Sequence, residues 1–107
     1  FAARNAMHFF HLKTPLYSAH IAAQGFYEGI IPLIDSFAEG VIGRLGKFEV
    51  FPNIKESTDD GLAIVGNMVK WIDTNRAMLT EFSEVQNIID EIISLCNSTA
   101  YKLRELR

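Results

Sequence analysis

Residues 8–39 read HFFHLKTPLYSAHIAAQGFYEGIIPLIDSFAE, and this stretch decides both the fold class and the candidate chemistry. Pro15 cannot sit inside a helix, because its ring removes a backbone donor and clashes with the preceding turn, but it suits a helix's first position. Thr14-Pro15 therefore separates one helix, expected over about Ala2 to Leu12, from a second running from about Pro15 to Leu45. In the second helix Ala19, Ala23, Phe26, Ile30, Leu33, Ile34, Phe37, Val41 and Leu45 recur at helical spacing and mark a core face. Pro32 falls within it and should loosen it locally through one lost hydrogen bond. The same helix is rich in small residues: Ala22, Ala23, Gly25, Gly29, Gly40 and Gly43. An interior glycine costs up to about 1 kcal/mol relative to alanine. Close approach of another helix backbone would offset that cost.

The pattern stays helical beyond this point, with no alternating stretch of useful length. Residues 46–56, with Phe48, Val50, Phe51 and Pro52, are too apolar for a free linker and should lie against the bundle as a long connection. Ser57 or Thr58, followed by Asp59 and Asp60, is a good start for a third helix with the stripe Leu62, Val65, Met68/Val69, Ile72 and Leu79. Trp71 lies off that stripe, at a rim or interface. Ser83 with Gln86 three residues on forms a capping-box pattern, opening a fourth helix whose face is Val85, Ile88/Ile89, Ile92/Ile93, Cys96, Ala100 and Leu103. The expectation is one all-α domain over 1–107, an antiparallel four-helix bundle with one long crossover between helices 2 and 3.

At 107 residues and 49% hydrophobic content the chain can bury a small core, and chains of this length often gain stability by oligomerising. The net charge is −3, and the only basic cluster, Lys102, Arg104 and Arg107, complements the end of a last helix. This argues against nucleic-acid binding by phosphate neutralisation. No apolar run approaches the roughly 20 residues needed to span a membrane. One cysteine, Cys96, excludes an intrachain disulfide, reads as core, and fits a reducing cytoplasmic setting. The opening Phe1-Ala2-Ala3-Arg4-Asn5 has no signal-peptide pattern and lacks an initiator Met, which leaves room for an upstream segment.

Four residues carry ligand chemistry: His8, His20, Asp35 and Glu39. Asp35 and Glu39 are one helical turn apart and share a face. His20 and Asp35, fifteen positions apart, would be roughly 22 Å apart on a continuous helix, too far for one ion. His8 and His20 flank Thr14 at equal distances, so an antiparallel hairpin should bring their imidazoles face to face. Imidazoles and hard carboxylates together suit iron, with zinc or manganese as alternatives. If all four bind together, the site is built across a two-fold axis between two chains. Two antiparallel copies of the second helix crossing near Gly29 would bring the His20 end of one to the Asp35/Glu39 end of the other. Of the remaining polar residues, His11 reads as a solvent or hinge position, Tyr17 and Tyr27 as packing or interface residues, and Glu28, one turn from Gln24, as at most a partial substitute for a carboxylate there.

The pattern His8, eleven residues, His20, fourteen residues, Asp35, three residues, Glu39 resembles that of the Dps family, the dodecameric mini-ferritins of starved bacteria. Gly25-Phe26 and Ala38-Glu39 also look like that family's second helix, and the resemblance covers about residues 5–46. It implies a ferritin-like bundle and a ferroxidase that stores iron. Fe(II) would be oxidised by peroxide or dioxygen at an inter-subunit site of His8, His20, Asp35 and Glu39, in a homo-oligomer that closes into a dodecameric shell. The chain departs from the family at Gln24, where an Asp is usual, and at Phe9, where a Trp is usual. The lysine-rich tail by which some members bind DNA is not seen. These departures suggest a divergent, phage-type relative. The alternative is a non-catalytic helical assembly module with a vestigial or purely structural metal site.

Overall fold

The computed structural model describes residues 1–45, 60–79 and 82–105. They form four helices: α1 (Ala2–Lys13), α2 (Tyr17–Leu45), α3 (Gly61–Asn75) and α4 (Ser83–Glu105). A short 3-10 turn, Arg76–Leu79, continues from α3 toward α4. Among the described residues there is no strand, and no helix is long and apolar enough to cross a membrane.

Each boundary has a local cause. Thr14 leaves α1 in an extended conformation (ψ 133°), and its N–H still reaches the Phe10 carbonyl. Pro15 then supplies no donor, and α2 is under way by Tyr17. Helix α3 is capped by Asp60, whose carboxylate accepts from the Ala63 N–H at 3.0 Å. The cap expected at Ser57 or Thr58 falls outside the described residues. Gln86, expected in a capping box with Ser83, is tied to Arg76. The guanidinium donates to its Oε1 at 2.7 and 2.9 Å, and its amide donates to the Arg76 carbonyl at 3.2 Å. Arg76 also pairs with Asp90 at 2.8 Å, so the 3-10 turn is pinned to the first turns of α4.

Helix α2 runs unbroken through Pro32, whose exposed ring faces outward. The missing Pro32 N–H leaves the Glu28 carbonyl without its usual helical donor, and on an outer face water can replace it.

The packing order follows from close contacts. Helix α2 packs on α1 and α4, and α3 packs on the same two. A Cβ added at Gly40 would lie 3.3 Å from Val85, and one at Gly29 would lie 3.4 Å from Leu95. The end of α2 therefore meets the start of α4, and these helices are antiparallel. Gly61, at the start of α3, sits against Phe10 near the end of α1. Phe10, Thr14, Leu16, Ala19, Asp60, Leu62 and Leu103 line one open hollow, so α1 ends, α2 begins, α3 begins and α4 ends at the same end. The helices thus run up, down, down, up. With extents of 43 × 24 × 22 Å the bundle is about as long as α2 itself, and α3 begins at the end opposite to the one where α2 stops.

Phe26, Met7, Ile30, Ile64, Val65, Val85 and Cys96 form the fully buried centre. The expected stripes hold at Ala19, Ala23, Ile34, Val41, Ile72, Ile89, Ile92 and Leu103, with Leu33, Phe37 and Met68 partly buried. Trp71 is 65% exposed, consistent with its place off the α3 stripe. Two glycines, Gly29 and Gly40, are small because α4 is close, as helix–helix approach requires. The helix that approaches both is α4 of the same chain. Gly25 and Gly43 on α2, and Gly66 on α3, have open space before them.

Candidate functional site

The structure gathers the chain's three histidines at the α1–α2 hairpin, in an order the spacing did not give. The imidazole that meets His20 is His11, with ring centroids 3.7 Å apart and planes at 28°. His8, one turn earlier on α1, stacks on Tyr27 at 4.5 Å and lies 6.1 Å from His11. His11 is therefore in ring contact with both residues that were expected to face each other. It is buried, at 8% exposure, rather than a solvent or hinge position. The physical reason is the length of the turn. Helix α1 ends at Lys13 and α2 begins at Tyr17, so the hairpin's midpoint lies after Thr14, and the positions level with one another shift toward its end.

The His11–His20 stack is fixed by two reciprocal hydrogen bonds. His11 Nδ1–H donates to the His20 carbonyl at 2.9 Å, and His20 Nδ1–H donates to the His11 carbonyl at 3.1 Å. A carbonyl can only accept, so both rings carry their proton on Nδ1 in this arrangement, and Nε2 of each neutral ring holds the lone pair. The His11 carbonyl is available because the residue four positions on is Pro15, which has no N–H. Tyr27 completes the cluster, edge-on to His11 at 5.2 Å, with the Arg4 guanidinium 5.4 Å from its ring centre. Arg4 Nε is buried with no hydrogen-bond partner. Tyr17, expected as a packing or interface residue, is 78% exposed, and its ring lies nearly parallel to that of His20 at 6.4 Å.

Asp35 and Glu39 are both exposed on α2. Because α2 is continuous from Tyr17 to Leu45, Asp35 stands roughly 22 Å and Glu39 roughly 28 Å along the axis from His20. Among the described residues of one chain, no three or more His, Cys, Asp and Glu side chains are grouped so as to hold a metal ion. Between the two ends, the Gln24 amide donates to the Glu28 carboxylate at 3.0 Å. Glu28 thus lies beside Gln24, and its charge is already engaged by an amide.

Cys96 is fully buried, and burial pushes its thiol up to about 12, so it is neutral packing material. A shallow surface hollow beside Trp71, lined by Asn67, Lys70, Thr74 and Asn75, brings together no ionisable pair suited to catalysis.

The model of a family of unknown function, DUF5856, matches residues 11–103. The chain belongs to that family. The DUF5856 match covers His11, His20, Asp35 and Glu39 and starts after His8. No curated protein and no solved structure matches the chain.

Proposed function

We propose that the chain is an iron-oxidising protein of mini-ferritin type, binding Fe(II) between two chains. His8 and His20 would come from one chain, and Asp35 and Glu39 from its two-fold mate. The observation that carries this reading is the division of ligand types along α2. A cluster of imidazoles stands at one end of the helix, and an exposed carboxylate pair stands about 22–28 Å away. The up, down, down, up helix order supports taking the bundle as ferritin-like.

The residues present suit iron as a substrate. His20 holds its Nδ1 proton on a backbone carbonyl and keeps Nε2 as a lone-pair donor, the usual state of a ligating imidazole. Carboxylates stabilise Fe(III) more than Fe(II) and so favour electron loss, while imidazoles suit the ferrous ion. With peroxide as oxidant, two Fe(II) each give up one electron. The O–O bond breaks, and two protons are taken up to form two waters. Storage of the ferric product in a closed shell is part of the same proposal and rests on resemblance alone.

A second reading is a helical assembly module that keeps the bundle but no iron chemistry. The tight His11–His20 stack and the Gln24–Glu28 bond favour it, because both tie up polar groups within one chain.

The test is Fe(II) oxidation by peroxide and by air, followed optically, for the parent, His20→Ala, Glu39→Ala and a mixture of the two variants. The ferroxidase reading expects a fast parent and two slow variants. It also expects partial recovery on mixing, since a mixed dimer keeps one site with both intact halves. After free exchange half the dimers are mixed, which restores about a quarter of the parent's sites. A parent no faster than buffer overturns the ferroxidase reading in favour of the assembly module. An active parent without recovery, when subunits demonstrably exchange, overturns the two-chain site.

A further inference from the structure

We infer that His11 is a positioning residue, which selects Nε2 of His20 as the atom that meets a metal ion and holds that ring in place. The inference rests on the metal-binding part of the reading above, and the role of His11 goes beyond the four-ligand pattern.

The argument starts at Pro15. Near the end of α1 the His11 carbonyl needs a donor, and the residue four on is a proline without one. His20, on the first full turn of α2, fills that place with its Nδ1–H at 3.1 Å. A neutral imidazole carries one proton, so placing it on Nδ1 leaves the lone pair on Nε2. The His11 side chain then holds the arrangement from the other direction. Its own Nδ1–H takes the second lone pair of the His20 carbonyl at 2.9 Å, and its ring covers one face of the His20 ring at 3.7 Å.

The rings as stacked do not both serve one ion. With metal–nitrogen distances of about 2.0–2.1 Å, two imidazoles on one ion need their centres farther apart than a 3.7 Å stack allows. His11 therefore acts through His20 rather than beside it. Outer partners of this kind commonly change metal affinity by about 10- to 100-fold when removed.

The experiment uses nitrogen-15 NMR of the histidine rings together with Zn(II) alone as the probe. The parent is expected to show His20 protonated on Nδ1, with the Nε2 resonance moving on zinc addition. His11→Ala keeps the backbone carbonyl that fixes the His20 tautomer but removes the ring that holds His20 in place, and should weaken zinc binding about 10- to 100-fold. His11→Asn, which can place an amide N–H where Nδ1–H stood, should regain part of the affinity. A His20 ring protonated on Nε2 in the parent would overturn the inference, even if His11→Ala failed to fold. So would a zinc affinity unchanged in His11→Ala, or a His20 resonance that zinc does not move. A parent that shifts at Nε2 but oxidises no iron keeps this inference and removes only the ferroxidase reading.

Discussion

Replacing Gly61 with alanine sets two effects of opposite sign against each other. Intrinsic helix preference favours alanine over glycine by up to about 1 kcal/mol, so at an unobstructed position in α3 the change would stabilise the protein. The structure blocks it. A Cβ at Gly61 would lie 2.8, 3.0 and 3.1 Å from Cε1, Cδ1 and Cζ of the Phe10 ring, well inside ordinary contact. The ring is held in the bundle, and overpacking of this sort costs about 1–3 kcal/mol. The net expectation is a loss of about 1–2 kcal/mol, which in a domain of this size lowers the melting temperature by roughly 5–15 °C. Urea unfolding of Gly61→Ala should show an earlier midpoint with an unchanged slope. In a Phe10→Ala background the same change should become neutral or stabilising, and the coupling should exceed about 1 kcal/mol. The contact also fixes which end of the bundle α3 starts from. A Gly61→Ala protein as stable as the parent would refute the Phe10 contact, and with it the parallel course of α2 and α3.

Two further outcomes follow from the core. Phe26, fully buried where α2 faces the rest of the bundle, should cost about 3–5 kcal/mol when cut to alanine, a large share of the stability of a domain this small; thermal melting followed by circular dichroism reads this directly. Burial holds the Cys96 thiol neutral up to about 12 from an ordinary value of 9.0. Above about pH 9 the unfolded chain therefore releases a proton that the folded chain keeps, and stability should fall as pH rises toward 12. Cys96→Val should flatten this part of the profile in urea midpoints measured across that range, and a slope that persists unchanged would assign it to other groups.

Most of the bundle was legible because apolar periodicity reports burial directly. Phe26, Ile30, Val65, Ile72, Val85, Ile89 and Cys96 all occupy the positions their spacing implied. Ile64 and Thr99 were missed, since each stands one residue from a stripe position and helix packing is wide enough to bury both. The histidine cluster was half legible. Counting from Thr14 put His8 opposite His20, but level pairing in a hairpin is set by where the helices end, and side chains lean toward each helix's own N-terminus. A signal for His11 was present all the same: a histidine four residues before a proline has a carbonyl without a helical donor, and a second histidine follows just inside the next helix. The glycines were legible in part. Composition says that something comes close to Gly29 and Gly40, but not whether it is α4 or another molecule. Leu95 and Val85 show that α4 is a close neighbour.

The two ends of α2 differ in stiffness, and on the proposed reading that difference decides what an ion would do. The imidazole end is fixed by a stack and two hydrogen bonds, so most of its ordering is complete before any ion arrives. The exposed carboxylates of Asp35 and Glu39 keep their water until something cationic displaces it. Bringing that pair to a partner's histidines without an ion would cost desolvation with no charge to compensate it, whereas with an ion the carboxylates gain their strongest contact. Association and metal binding would then be linked, and added metal would tighten the dimer in proportion to its preference for the two-chain state. An assembly module with no ion between its chains has no such linkage. Sedimentation across a range of zinc and protein concentrations therefore separates a metal site shared between chains, catalytic or structural, from a metal-free module, because only a shared site makes the dimer's stability depend on the metal.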